Sequence, residues 1–175
     1  MTETAIPTGG AGDDLHRNPD IGSLVAALAS PDRATRQSAR ETLVALGHPA
    51  VGPLIALLDD RRDHVRWEAA KSLSDIGDSA AAPALVKTLE DRDAGVRWLA
   101  AEGLIRMRKA GLKPLFQALI ERSDSPWLRE GAHHVLHALT KMGLAEGAKP
   151  VLTALEGIEP TATVPSAARR ALDNL

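Results

Sequence analysis

The sequence predicts an all-α protein, a right-handed α-solenoid of about five helix-turn-helix repeats. Three observations predict it. The pattern Arg, then Ala three residues on, Leu seven on, and Leu, Ile or Met ten on occurs four times: Arg36/Ala39/Leu43/Leu46, Arg66/Ala69/Leu73/Ile76, Arg97/Ala100/Leu104/Met107 and Arg129/Ala132/Leu136/Leu139. The copies are spaced at 30, 31 and 32 residues. A fixed period of that length marks units that bury their apolar faces only by stacking on neighbours. Finally, hydrophobic residues make up 44% of the 175-residue chain while aromatics make up 2%. Leu, Ala, Val and Ile must therefore form the core, which suits closely stacked helices.

Between the Arg-led segments runs a second apolar pattern at i, i+1, i+4: Leu24/Val25/Leu28, Leu54/Ile55/Leu58, Leu85/Val86/Leu89, Leu115/Phe116/Leu119 and Val151/Leu152/Leu155. Each reads as a short amphipathic helix. Four begin beside Pro53, Pro83, Pro114 and Pro150, where a first turn has no use for the missing N–H. Gly47, Gly77 and Gly111 stand where left-handed caps are wanted. Asp60, Asp91 and Ser125 are placed to cap the second helices. First helices are expected near 21–29, 50–59, 80–90, 112–121 and 146–156. Second helices are expected near 33–46, 63–76, 94–108, 126–140 and 165–174. The solenoid spans 19–175, and its fifth repeat, about 141–175, is a degenerate cap in which IEPTATVPS interrupts the helices. Residues 1–18, rich in Thr, Gly, Pro and Asp, read as a flexible arm.

Composition narrows the function. A net charge of −2 gives no overall attraction to nucleic acid or to an anionic membrane. The absence of cysteine excludes disulfides, thiolate metal sites and thiol nucleophiles. There is no apolar run of membrane-spanning length, no secretory leader, no phosphate loop and no nucleophile elbow, and a cytoplasmic location is expected.

The segments DHVRWEAAKSLSDIG and AGVRWLAAEGLIRM, each preceded by a Pro-led apolar helix, resemble HEAT repeats of the short type first associated with phycobilin lyases. The resemblance is strong over 21–140. It implies that second helices line a concave face that binds a partner, and that the repeated arginine is structural. HEAT-repeat di-iron hydroxylases hold metal through His-Glu dipeptides, and no histidine here is followed by Glu. HEAT-like DNA glycosylases use a basic concave face, whereas the rungs here are mixed in sign.

Positions one, five and eight after each arginine point away from the core phase. They form a ladder of Gln37, Glu41 and Val44; Trp67, Lys71 and Ser74; Trp98, Glu102 and Ile105; Glu130, His134 and His137, with Arg106 nearby. Trp67 and Trp98 occupy equivalent rungs and are expected to form an exposed aromatic pair that binds a protein or peptide. The competing reading buries both in the seam between repeats. Arg36, Arg66, Arg97 and Arg129 each follow an Asp by three to five residues. They are expected to pair with that Asp or to bridge to the next repeat. Glu130, His134 and His137 share one helical face and are the weak candidates for a metal, with His133 wedged between helices. The favoured function is a non-enzymatic adaptor, assembly factor or regulatory subunit with no cofactor. The alternatives are a subunit that seats a tetrapyrrole on the indoles, with Lys71 or Arg106 near its carboxylates, and a metal-dependent enzyme.

Overall fold

The computed structural model describes residues 20–175, so the arm expected at 1–18 lies outside the described residues. Ten α-helices follow one another: α1 Ile21–Ala27, α2 Arg33–Leu46, α3 His48–Leu57, α4 Asp63–Ile76, α5 Ala82–Thr88, α6 Ala94–Arg106, α7 Leu112–Glu121, α8 Pro126–Lys141, α9 Lys149–Leu155 and α10 Pro160–Asp173. They form five pairs. The all-α solenoid read from the sequence is the fold.

The repeat arithmetic explains the core. Every residue three and seven after a repeat arginine is buried: Ala39, Leu43, Ala69, Leu73, Ala100, Leu104, Ala132 and Leu136. So are Leu28, Leu54, Leu58, Leu85, Val86, Leu89, Leu115, Phe116 and Leu119 of the first-helix pattern. These side chains belong to one continuous cluster running the length of the stack. Such a stack has no central core, because each pair covers the next.

The two helical layers are not equally spaced. Helices α2, α4, α6 and α8 stack in sequence, and α4 with α6 is the most extensively packed pair in the molecule. Gly103 permits that approach, since a Cβ there would lie 2.7 Å from Leu85 Cδ1 and 3.3 Å from the Ser74 Cα. Helices α3 and α5 diverge instead and leave a groove of about 560 Å³ over Ile55, Leu58 and Ala84. A stack whose second-helix layer is the more tightly spaced bends toward that layer.

Several local expectations are corrected. Helix α3 starts at His48, so Pro53 lies inside it and Pro49 occupies the first turn. Gly77 takes the left-handed cap at φ 68°, but Gly111 is right-handed at φ −77°, and the positive φ of that turn falls on Arg108. Asp32, Asp93 and Ser125 cap α2, α6 and α8 by accepting from Thr35, Val96 and Leu128 N–H. Asp60 and Asp91 do not cap second helices: Asp60 binds the Arg62 N–H and guanidinium, and Asp91 accepts from Asp93 N–H and Arg66.

The last pair departs furthest from expectation. IEPTATVPS is expected to interrupt the helices, yet α10 begins at Pro160, a first-turn position where proline fits. Pro165 then sits within the helix and gives no N–H to the Thr161 carbonyl. Ser123 Oγ donates to that carbonyl at 3.0 Å. Helix α10 packs on α7 and α9 rather than stacking chiefly on α8. It buries Val164, Ala167, Ala168 and Ala171 and leaves Thr163, Ser166, Arg169 and Arg170 exposed.

Candidate functional site

The exposed face of the second-helix layer starts from the four arginines. Each donates from Nη1 to the carbonyl six residues earlier: Arg36 to Ser30 at 2.9 Å, Arg66 to Asp60 at 2.9 Å, Arg97 to Asp91 at 2.9 Å and Arg129 to Ser123 at 2.6 Å. That bond ties the start of the second helix to the end of the first. The rest of the guanidinium reaches forward in three of the four. Arg36 donates to Glu68, where Arg40 also donates at 2.5 Å; Arg66 forks onto both oxygens of Asp91 at 2.7 and 2.9 Å; Arg97 lies 4.8 Å from the centre of the Trp127 ring. The own-turn acids Asp32, Asp63, Asp93 and Asp124 are not hydrogen-bond partners of these guanidinium groups. Asp32 and Asp93 are occupied with helix N–H groups, to which a carboxylate is well matched.

Arg66 and Asp91 form the most buried of these pairs, with side chains 6% and 9% exposed. Burial pushes the Asp91 carboxyl up, but the Arg66 fork and the Asp93 N–H more than offset it and hold the group below the usual carboxylate range.

The ladder rungs divide. Gln37, Glu41, Trp67, Trp98, Arg106, Glu130, His134 and His137 are exposed, while Val44, Lys71, Glu102 and Ile105 are half-buried. Ser74 is a correction: it is buried, because the close approach at Gly103 brings α6 over its backbone. Several rungs pair with each other. Gln37 donates to Glu41 at 2.9 Å, Lys71 donates to Asp75 at 2.7 Å, and Arg106 lies 3.8 Å from the same Asp75.

All three tryptophans lie on this face. Trp67 is 37% exposed, Trp98 58% and Trp127 44%. Trp67 leans on the next repeat, where Gly95 leaves room: a Cβ there would lie 3.5 Å from the indole. It combines a seam contact with an open edge. Trp127 was missed in the sequence because it stands one helical turn before the rung held by Trp67 and Trp98. Its signal was the residue type alone, at i−3 from Glu130, and i and i+3 share a helix face. Beside Trp98 a cavity of about 250 Å³ is lined by Ala94, Arg97, Ala101, Glu130, Gly131 and His134.

The histidines are spread among carboxylates. His134 Nε2 lies 3.0 Å from Glu102 of the preceding repeat, and His133 Nε2 lies 3.0 Å from Glu156. His133 also stacks on His137 at 5.7 Å between ring centres. The expectation that His133 is wedged between helices is corrected, because its side chain is 42% exposed and turned toward α9. Among the described residues no three His, Asp or Glu side chains gather to hold a metal ion, and Glu130, His134 and His137 are not such a group.

Comparison with known proteins bears on the fold. The family model for HEAT repeats matches residues 21–105 and 83–173. The chain belongs to the HEAT-repeat family. No curated protein matches it in sequence. Among solved structures it is similar to the complex of CpcE and CpcF of phycocyanin lyase from Nostoc sp. PCC7120, with a TM-score of 0.58 and 24% identity over 86% of this chain and 96% of that one. An engineered protein is 23% identical over 89% of this chain and 78% of that one, with a TM-score of 0.45. A designed armadillo repeat protein is 20% identical over 88% and 99%, with a TM-score of 0.43. Among the described residues no helix is long and apolar enough to cross a membrane.

Proposed function

We propose that the protein is a non-enzymatic interaction module, an adaptor, assembly factor or regulatory subunit, that docks a protein or peptide on the face of its second helices. One observation carries this reading. Three partly exposed indoles, Trp67, Trp98 and Trp127, stand on successive second helices, in a chain with 2% aromatic residues. Exposed aromatic groups clustered on one face mark binding surfaces, and Trp and Arg are the residues most enriched at their energetic centres. The core requires none of them, since Ala, Leu and Val already fill it. No nucleic acid or membrane is assigned to this face, because its charges alternate in sign.

The test is site-specific photocrosslinking in the native cell. A benzoylphenylalanine in place of Trp98 is expected to give a discrete adduct, and one in place of Gln117, exposed on α7, is expected to give none. Adducts from position 117 without any from position 98 would remove the proposal.

A second reading, a subunit that seats a bilin or other tetrapyrrole on the indoles, draws on the likeness of fold to the phycocyanin lyase complex. The cations it assigned to the pigment carboxylates, Lys71 and Arg106, are both turned toward Asp75. A shifted absorbance band on titrating bilin or haem into the protein, lost in Trp98→Ala, would favour it over docking of a peptide.

A further inference from the structure

Two of the three tryptophans carry an arginine of this chain over the indole. Arg40 lies 5.9 Å from the Trp67 ring centre and Arg97 lies 4.8 Å from that of Trp127. Both cations come from the preceding second helix, so the array pairs a guanidinium from one repeat with an indole of the next. Trp98 is the exception. Among the described residues no cation lies over it, and it is the most exposed of the three. Neither equivalent position supplies one: the residue four after the repeat arginine is Arg40 in the first unit but Ala70 in the second, and Arg66, the counterpart of Arg97, is forked onto Asp91. Lys71, next to Ala70, is turned to Asp75.

The cavity beside the bare indole is lined by one carboxylate, Glu130, one guanidinium, Arg97, and the His134 imidazole. Glu130 stands across the cavity, exposed, with no ion-pair partner among the described residues. Gly131 beside it lets α8 approach Leu89, which a Cβ there would meet at 2.8 Å. Arg97 also reaches this cavity, but its Nη1 donates to the Asp91 and Arg92 carbonyls and its guanidinium carbon lies 4.8 Å from the Trp127 ring centre. An open π face next to a free carboxylate is the electrostatic complement of a guanidinium or ammonium group.

We propose that Trp98 and Glu130 receive an arginine or lysine side chain of the docked partner, so that a foreign cation takes the place the chain fills for itself at Trp67 and Trp127. This rests on the second-helix face being a docking surface. Arginine fits better than lysine, because its plane stacks on an indole while its fork meets a carboxylate.

Fluorescence anisotropy with the full chain tests it, using labelled hexa-arginine, hexa-lysine and hexa-citrulline peptides as probes. Hexa-arginine should bind more tightly than hexa-lysine, and neutral hexa-citrulline, of nearly the same shape, should not bind measurably. Trp98→Ala and Glu130→Gln should each weaken hexa-arginine by about tenfold, equivalent to about 1.4 kcal/mol. Glu121→Gln, which changes the net charge equally on α7, and Trp67→Ala should each alter it by less than about twofold. Equal binding by Glu130→Gln and the unaltered protein, or by the citrulline and arginine peptides, would overturn the proposal. Glu130 is exposed, so its variant serves even where Trp98→Ala perturbs the fold. Binding that emerges only after residues 1–19 are removed would assign the pocket to Arg17 of this chain and overturn the foreign cation. A crosslinked partner at position 98 together with failure of the peptide test keeps the docking face and discards the cation; peptide binding at Trp98 with no partner crosslinked there has the opposite meaning.

Discussion

Leu73 and Leu104 occupy the same phase on α4 and α6 and are both fully buried. Replacing either by Ala is expected to cost about 2–5 kcal/mol, since stacked helices cannot collapse onto the cavity. Chemical denaturation measures it, and a loss below about half a kcal/mol would mean that these side chains do not hold the stack. Gly103→Ala makes the opposite demand at the same seam. Alanine should gain about 1 kcal/mol in helix propensity, but its methyl group would meet Leu85 at 2.7 Å and the Ser74 backbone at 3.3 Å. Leu85 can rotate and the Ser74 backbone cannot, so we expect net destabilisation of about 1–3 kcal/mol. A variant more stable than the parent would show that α4 and α6 part easily. The inward phase of these residues was legible because leucine recurs at 3.6-residue spacing. The burial of Ser74 was not, because it depends on how closely two helices approach, which Gly103 decides from 29 residues away.

Helices are tied to one another by the repeated arginines, and here the sequence was ambiguous for a physical reason. An acid preceding each arginine by a few residues can pair with it or cap the helix, and spacing alone does not choose. The structure gives Asp32 and Asp93 to N–H groups and sends Arg36 and Arg66 forward to Glu68 and Asp91. Arg66→Ala would leave the half-buried Asp91 carboxylate with only the Asp93 N–H and is expected to cost about 1–3 kcal/mol. Arg129→Ala, which has only the Ser123 carbonyl to lose, should cost much less. Equal losses would mean that the forward pair adds nothing. The pair also has a pH signature. The carboxyl of Asp91 is depressed in the fold, so its contribution is complete above the unfolded value of about 3.9 and is lost as pH falls through the lower folded value. The stability gap between the protein and Asp91→Asn should therefore be widest at neutral pH and shrink below about pH 4. A gap that stays constant from pH 7 to pH 3 would contradict the depressed value.

At the scale of the whole array, stability is a sum over neighbouring interfaces, and the two described ends are unequal. Helix α1 contains no buried residue, and its contacts are with α2 and α3. Helix α10 lies along α7, covering the side of the stack that holds Leu112, Leu115, Phe116 and Leu119. The broken period of the sequence reads as a degenerate final unit. Where the last helix would lie was hidden, because a proline inside a helix usually signals a break, and the carbonyl it orphans is satisfied by Ser123 from 38 residues away. Hydrogen exchange should therefore grade along the chain, with α4 and α6 slowest and α1 fastest. Ending the chain after residue 158 should do more harm than beginning it at residue 31. The first truncation uncovers apolar side chains of α7 that stacking on α5 and α8 does not conceal, and such a patch drives self-association. Sedimentation should then find dimers or larger species for the C-terminal truncation, along with a broader and earlier denaturation, while the N-terminal truncation stays at the size of the parent. A monomeric C-terminal truncation that unfolds like the parent would mean that α10 is an appendage, and that the stack through α8 already covers its own end.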